Sequence, residues 1–126
     1  MNRYVPILQE HSKDPPLELE QLLDREGTLI LTMVDAHERR IRLLFDSYMV
    51  YRKMDEGDSL LTLNDMVKTE GTGKWFYRVE DSEFLAWFNR ESCDARANQN
   101  LVHYSITALN DVVDVIALDA PVVEFE

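Results

Sequence analysis

Six of the chain's twelve aromatic residues, both tryptophans among them, stand in one stretch, Lys74–Ser92 (KWFYRVEDSEFLAWFNRES). Aromatic side chains bury large apolar areas and dominate core energetics, so this stretch has to sit where the core is. Its pattern also sets its form. Trp75, Tyr77 and Val79 alternate with Phe76 and Arg78, the period of a strand. Asp81 or Ser82 then offers an acceptor for the free N–H groups of a helix start. Phe84, Leu85 and Phe88 recur on one helical face, with Trp87 at its margin. The stretch predicts a buried strand, an acidic corner and a short amphipathic helix, with Trp75, Tyr77, Phe84 and Phe88 in the core.

The same two periods organise the rest. Residues 1–15 read as an extended arm, docked through Tyr4, Val5, Ile7 and Leu8 and stopped by Asp14-Pro15-Pro16. Pro16 is suited to open a helix; Leu19, Leu22 and Leu23 follow at helical spacing, and Gly27 is placed to end it. Thr28–Asp35 is an apolar run of strand length, and Asp35–Glu38 a hairpin connection. In Arg40–Phe45, Ile41, Leu43 and Phe45 share one face, while Arg40 and Arg42 lie opposite with Leu44. Tyr48–Lys53 continues as a further strand or the far side of a bulge. Met54–Asp58 is a turn, and Leu60, Leu63 and Val67 predict a short helix over 59–68. Glu70–Gly73 breaks it. Past the aromatic unit, Glu91–Asn100 is a polar loop. Leu101–Ala108 alternates, with Val102, Tyr104 and Ile106 opposed to Leu101, His103, Ser105 and Thr107. Asn110-Asp111 turns the chain into a last long strand, Val112–Leu118, and Pro121 opens a short edge strand. The expectation is one α+β domain over residues 1–126. It has a mainly antiparallel sheet of about five to seven strands, with two or three short helices on one face.

Composition narrows the function classes. The net charge is -11, from 24 acidic and 13 basic residues. That opposes nucleic acid, which demands clustered Lys and Arg against phosphate, and anionic membranes for the same reason. It favours attraction to basic partners. Cys93 is the only cysteine, so no intrachain disulfide forms, which suits a reducing compartment. The apolar run at the N-terminus is broken by Pro6, Gln9 and Glu10, and no run reaches the roughly 20 apolar residues of a spanning helix. A cytoplasmic protein is expected.

Chemical motifs fail one by one. Gly71-Thr72-Gly73-Lys74 resembles half a phosphate loop, but Lys68 stands where a Gly is needed, Trp75 where Ser or Thr is needed, and a strand follows rather than a helix. His37-Glu38 lacks the second histidine of a zinc-protease pattern, since Ile41 occupies its place. His11 and His103 have no ligand partner at metal spacing. Cys93 lies near acids rather than cations, so nothing favours its thiolate. No catalytic residue, metal or cofactor is expected. His103 and Ser105, on one face of their strand, are the best remaining pair for acid–base work. The expectation for His103 is a structural histidine hydrogen-bonded beneath the 91–100 loop. Asp114, between Val113 and Val115, is expected on the solvent face.

Charge is distributed unevenly. Residues 39–53 hold five cations and one acid, residues 54–73 five acids and one lysine, and residues 97–126 five acids with no Lys or Arg. An acidic patch built from the 55–70 region and the C-terminal strands follows, able to steer a basic partner.

From Phe45 onward the chain resembles a known group. The pieces are FDSYMVYRKMDEGD, the Val79–Phe84 corner with Trp87-Phe88, and His103-Tyr104 leading to NDVVDV from Asn110. Together they look like the small acidic bacterial immunity proteins of contact-dependent and polymorphic toxin systems. The resemblance implies a non-enzymatic protein that binds a cognate toxin domain, often a nuclease with a basic cleft, and blocks it. Charge and expected exposure, not a family motif, pick Asp55, Glu56, Asp58, Asp111, Asp114 and Asp119 as the contact surface. Two other readings stay open. One is a small ligand-binding or regulatory α+β domain, dimeric through an edge strand, with the aromatic stretch lining a pocket. The other is an enzyme using His103 with a nearby acid.

Overall fold

The structure is a computed structural model that describes residues 2–7, 17–68 and 75–125. His11, the Asp14–Pro16 stop and the Gly71–Lys74 turn lie outside these residues. The described chain runs β1 (Arg3–Pro6), β2 (Glu18–Arg25), β3 (Thr28–Val34), β4 (Arg40–Phe45), β5 (Tyr48–Asp55), a 3-10 turn (Glu56–Asp58), α1 (Leu60–Lys68), β6 (Phe76–Glu80), α2 (Glu83–Glu91), β7 (Val102–Thr107), β8 (Asp111–Ala117) and β9 (Val122–Phe125). The α+β reading holds in outline, but nine strands in two sheets replace the expected single sheet of five to seven. One sheet has the order β1-β6-β7-β8-β5 and the other β2-β3-β4-β9, with every neighbouring pair antiparallel.

Two short crossovers make the second sheet. Asp46-Ser47 carries the chain from β4 into β5, which pairs with β8 instead of β4. Residues 118–121 carry it back from β8 to β9, which pairs with β4. The crossovers are tied together at one corner. Leu118 N–H donates to Ser47 O (3.1 Å), Asp119 N–H donates to Ser47 Oγ (2.9 Å), and that hydroxyl donates to Asp119 Oδ2 (3.2 Å).

The alternation read from the sequence places the core. Leu29, Leu31, Met33, Ile41, Leu43 and Phe45 from the small sheet pack against Phe76, Tyr104, Ile106, Val113, Val115 and Ala117 from the large one. The other face of the large sheet is covered too. Tyr77 and Val79 pack there with Tyr4 of β1 and Met66 of α1, and Phe84 of α2 is 5% exposed. Strands buried on both faces tolerate polar residues only where each finds a partner. Trp75 departs from its expected face. It precedes β6, stacks on Phe76 at 5.4 Å, and joins the inter-sheet core rather than the Tyr77 side. Phe88 is half-buried and Trp87 is 41% exposed, so Phe84 is the one aromatic side chain that α2 fully buries.

The expected helix after Pro16 is the strand β2, paired along β3. Its leucines mislead because a bulge between Leu19 and Gln21 inserts one residue. A bulge shifts side-chain parity, so Leu19 and Leu22 both face the core although three positions apart. Gly27 ends a hairpin strand, not a helix: Glu26 and Gly27 both have positive φ (51° and 84°), the pair that a tight two-residue hairpin turn requires. The described part of the expected N-terminal arm is β1, an edge strand on β6.

Candidate functional site: an acidic turn and a groove between the helices

The six acidic residues expected to form one surface separate into three places. Asp55, Glu56 and Asp58 are exposed and lie together at the end of β5. Asp55 fixes the turn, its carboxylate accepting from Gly57 N–H at 2.7 Å, and Ser59 Oγ donates to Asp55 O at 3.0 Å. Glu56 N–H donates to Asn110 O at 2.9 Å, which binds this turn to the β7–β8 turn. Asp111 is Asp55's register partner, and its carboxylate is 2.9 Å from Lys53 Nζ. Asp119 lies at the far end of β8 and serves the Ser47 corner. β8 is seven residues long, so Asp119 is separated from Asp111 by roughly 20 Å or more of strand at about 3.3 Å per residue.

Asp114 is a correction. It is 2% exposed, not on the solvent face, because the helices cover this side of the large sheet. Burying a carboxylate is costly unless it is paired and hydrogen-bonded, and here it is both. Arg52 Nε lies 3.0 Å from Asp114 Oδ2. His103 Nε2 lies 2.7 Å from Oδ1. His103 Nδ1 is in turn 2.7 Å from Ser82 Oγ, and Ser82 caps α2 by accepting Leu85 N–H at 2.9 Å. Neutral or protonated, the His103 ring donates Nε2–H to Asp114. Burial works against ionisation of Asp114, but the hydrogen bond and charge of His103, joined by Arg52, outweigh it and hold its pKa below the usual carboxylate value.

Serine, imidazole and carboxylate in this sequence of contacts have the connectivity of an acid–base relay. Its setting makes it a clamp. His103 is 1% exposed, its ring centroid 5.3 Å from that of Phe84 with 70° between the planes. The Ser82 hydroxyl oxygen is already engaged at the helix start. The histidine expected beneath the 91–100 loop therefore holds down the start of α2 instead. Asn2 reinforces the same point, its Oδ1 accepting Glu83 N–H at 2.7 Å. Counting outward from the β7–β8 turn pairs Ser105 with Asp114 and leaves His103 one diagonal step away. That hairpin count is the signal by which the pair was legible. The contributions of Ser82, Arg52 and Asn2 were not, since they come from other elements. Ser105 Oγ, fully buried beside Asp114, has no hydrogen-bond partner among the described residues.

Above the clamp lies a groove of about 370 Å³, with Leu61, Thr62 and Asp65 of α1 on one wall and Glu83, Phe84 and Trp87 of α2 on the other. Asn2 and Arg52 complete its lining. Phe84 and Trp87 are stacked at 5.6 Å with 9° between their planes, and the Arg52 guanidinium lies 4.1 Å from the Phe84 centroid. Its nearest lining residue on α1, Leu61, follows the acidic turn by three residues.

Among the described residues, no three His, Cys, Asp or Glu side chains gather to hold a metal ion, and no helix is long and apolar enough to cross a membrane. Cys93 is exposed. Comparison with protein-family models, with curated proteins and with solved structures gives no match to this chain.

Proposed function

We propose that this chain is a non-enzymatic binding protein of the immunity type, which neutralises a basic, nuclease-like toxin domain by covering it with an acidic surface. One observation carries the reading. The cations of residues 39–53 are each paired within the chain, at its surface: Arg39 with Asp35, Arg40 with Glu20, Arg42 with Glu124, Arg52 with Asp114 and Lys53 with Asp111. Asp55, Glu56 and Asp58 form no ion pair among the described residues and project together from a hydrogen-bonded turn. Their charge is left for a partner. Acids held in this way stand in for the phosphates that a basic cleft is built to receive, and complementary charge accelerates encounter. The contact surface narrows from six acids to these three, with Asp111 at its border.

The test is a titration of the purified chain against a panel of basic nuclease toxin domains at ionic strengths of about 0.01 and 0.15 M. A cognate pair binds tightly at low salt and associates more slowly at high salt. Joint replacement Asp55→Asn, Glu56→Gln and Asp58→Asn lowers the association rate by about tenfold or more at low salt, the lower end of electrostatic steering. Affinities weaker than about 1 µM for every domain at low salt would remove the reading.

A further inference from the structure

We infer that the groove between α1 and α2 receives an arginine side chain of the basic partner, gripped between the Trp87 indole and the Glu83 carboxylate. The inference rests on the binding-protein reading and names the chemistry of its central contact.

The groove's rim is apolar where a partner would meet it. Leu61 is 70% exposed and Trp87 41% exposed, one on each wall. Exposed tryptophan beside a concave site is the usual composition of an interface anchor. Its charge is acidic. Glu83 on the α2 wall supplies the exposed carboxylate, Asp65 on the α1 wall is buried at 5% exposure, and the lining's cation, Arg52, is bonded to Asp114. The spacing is that of neighbours on one helical face: Glu83 and Trp87 are four apart on α2. An aromatic plane and a carboxylate are thus offered together from the same side of α2.

That pairing selects guanidinium over ammonium. A planar guanidinium stacks on an aromatic face while its N–H fork bonds a carboxylate, whereas an ammonium is a strongly hydrated point charge. The fold already contains one complete example. Arg52 lies over Phe84 while bonded to Asp114. Trp87 is stacked nearly parallel to Phe84. A partner's arginine on Trp87 would repeat this contact one ring outward, with Glu83 in the part of Asp114. The acidic turn three residues before Leu61 would draw it in.

The probe is N-acetyl-arginine amide, followed through the two indole N–H resonances, with N-acetyl-citrulline amide as the neutral isostere and N-acetyl-lysine amide as the second cation. The arginine probe shifts the Trp87 indole saturably in the roughly millimolar range expected of one side chain. The buried Trp75 indole stays fixed, citrulline has no effect, and lysine binds more weakly. Glu83→Gln weakens binding by about two- to fivefold, the size of an exposed ion pair. Equal shifts with citrulline, no shift at Trp87, or a Trp87 shift that follows protein concentration alone would each overturn the inference. So would shifts confined to residues 55–58, but that result leaves the acidic-turn reading standing. Arginine binding at Trp87 together with failure against every basic domain would sink only the immunity reading.

Discussion

His103 and Asp114 sit on adjacent strands with Nε2 2.7 Å from Oδ1, and neither is more than 2% exposed. A buried carboxylate with two bonded partners makes the underside of α2 electrostatically committed. Arg52 closes the pair toward solvent and Ser82 extends it to the helix cap. What anchors the helix is therefore as much a polar chain as the single buried aromatic Phe84.

Asp114→Asn tests the commitment. Losing the charge at a bonded, buried site should cost about 2–3 kcal/mol at neutral pH, the range for hydrogen bonds to charged groups. The folded state holds the Asp114 pKa below its ordinary value, so its contribution is complete above pH about 4, the unfolded pKa, and fades as pH falls through the lower folded one. The stability gap between wild type and variant should narrow under acid. Urea midpoints at about pH 7 and about pH 2.5 measure it, spanning the ordinary carboxylate pKa. A gap that stays constant would mean the site works by shape alone.

The alkaline limb should be set by tyrosines. Tyr48 is pushed up to about 12, first by its 2.6 Å hydrogen bond to Asp24, then by burial and the charge of Asp24. Burial alone takes Tyr77 to about 12. Both folded values exceed the unfolded value of about 10, so this stability is full below pH about 10 and lost as pH rises toward 12. Tyr48→Phe should flatten the fall in stability between those values by about one proton's worth, read from urea midpoints across the range. Phenolate absorbance should show Tyr48 and Tyr77 as the late-ionising groups.

The β2–β3 hairpin makes a backbone prediction. Glu26 has φ 51°, a left-handed conformation that costs a non-glycine residue about 1–2 kcal/mol and that asparagine adopts more readily. Glu26→Asn should raise stability by about 0.5–1 kcal/mol. Gly27→Ala should lower it by about 1 kcal/mol through φ 84°, although no atom lies within 4 Å of the added Cβ. Leu22→Ala should destabilise far more than Leu23→Ala, since Leu22 packs on the core and Leu23 faces outward with Ile30. Equal costs for the two leucines in thermal melts would favour the helix that the spacing imitates.

Taken alone, the residues of this chain determined most of the local forms. Period-two runs became β4, β6 and β7, and apolar runs of strand length became β3 and β8. The Ser82 cap and the apolar spacing after it became α2, and 59–68 became α1, because each signal is carried within a few consecutive residues. Three things waited for the tertiary structure. Alternation says that a strand has two faces but not what covers each, so Asp114 could be assigned to solvent until α1 and α2 were seen to close that side. Helical and bulged-strand spacing coincide at Leu19 and Leu22, and only pairing with β3 separates them. Sheet membership depends on two crossovers of a few residues, and these carry no hydrophobic pattern. The acidic surface divides along the same line: its charge is a property of the sequence. Which acids remain unpaired among the described residues, those of the Asp55–Asp58 turn included, was decided by where the fold placed its cations.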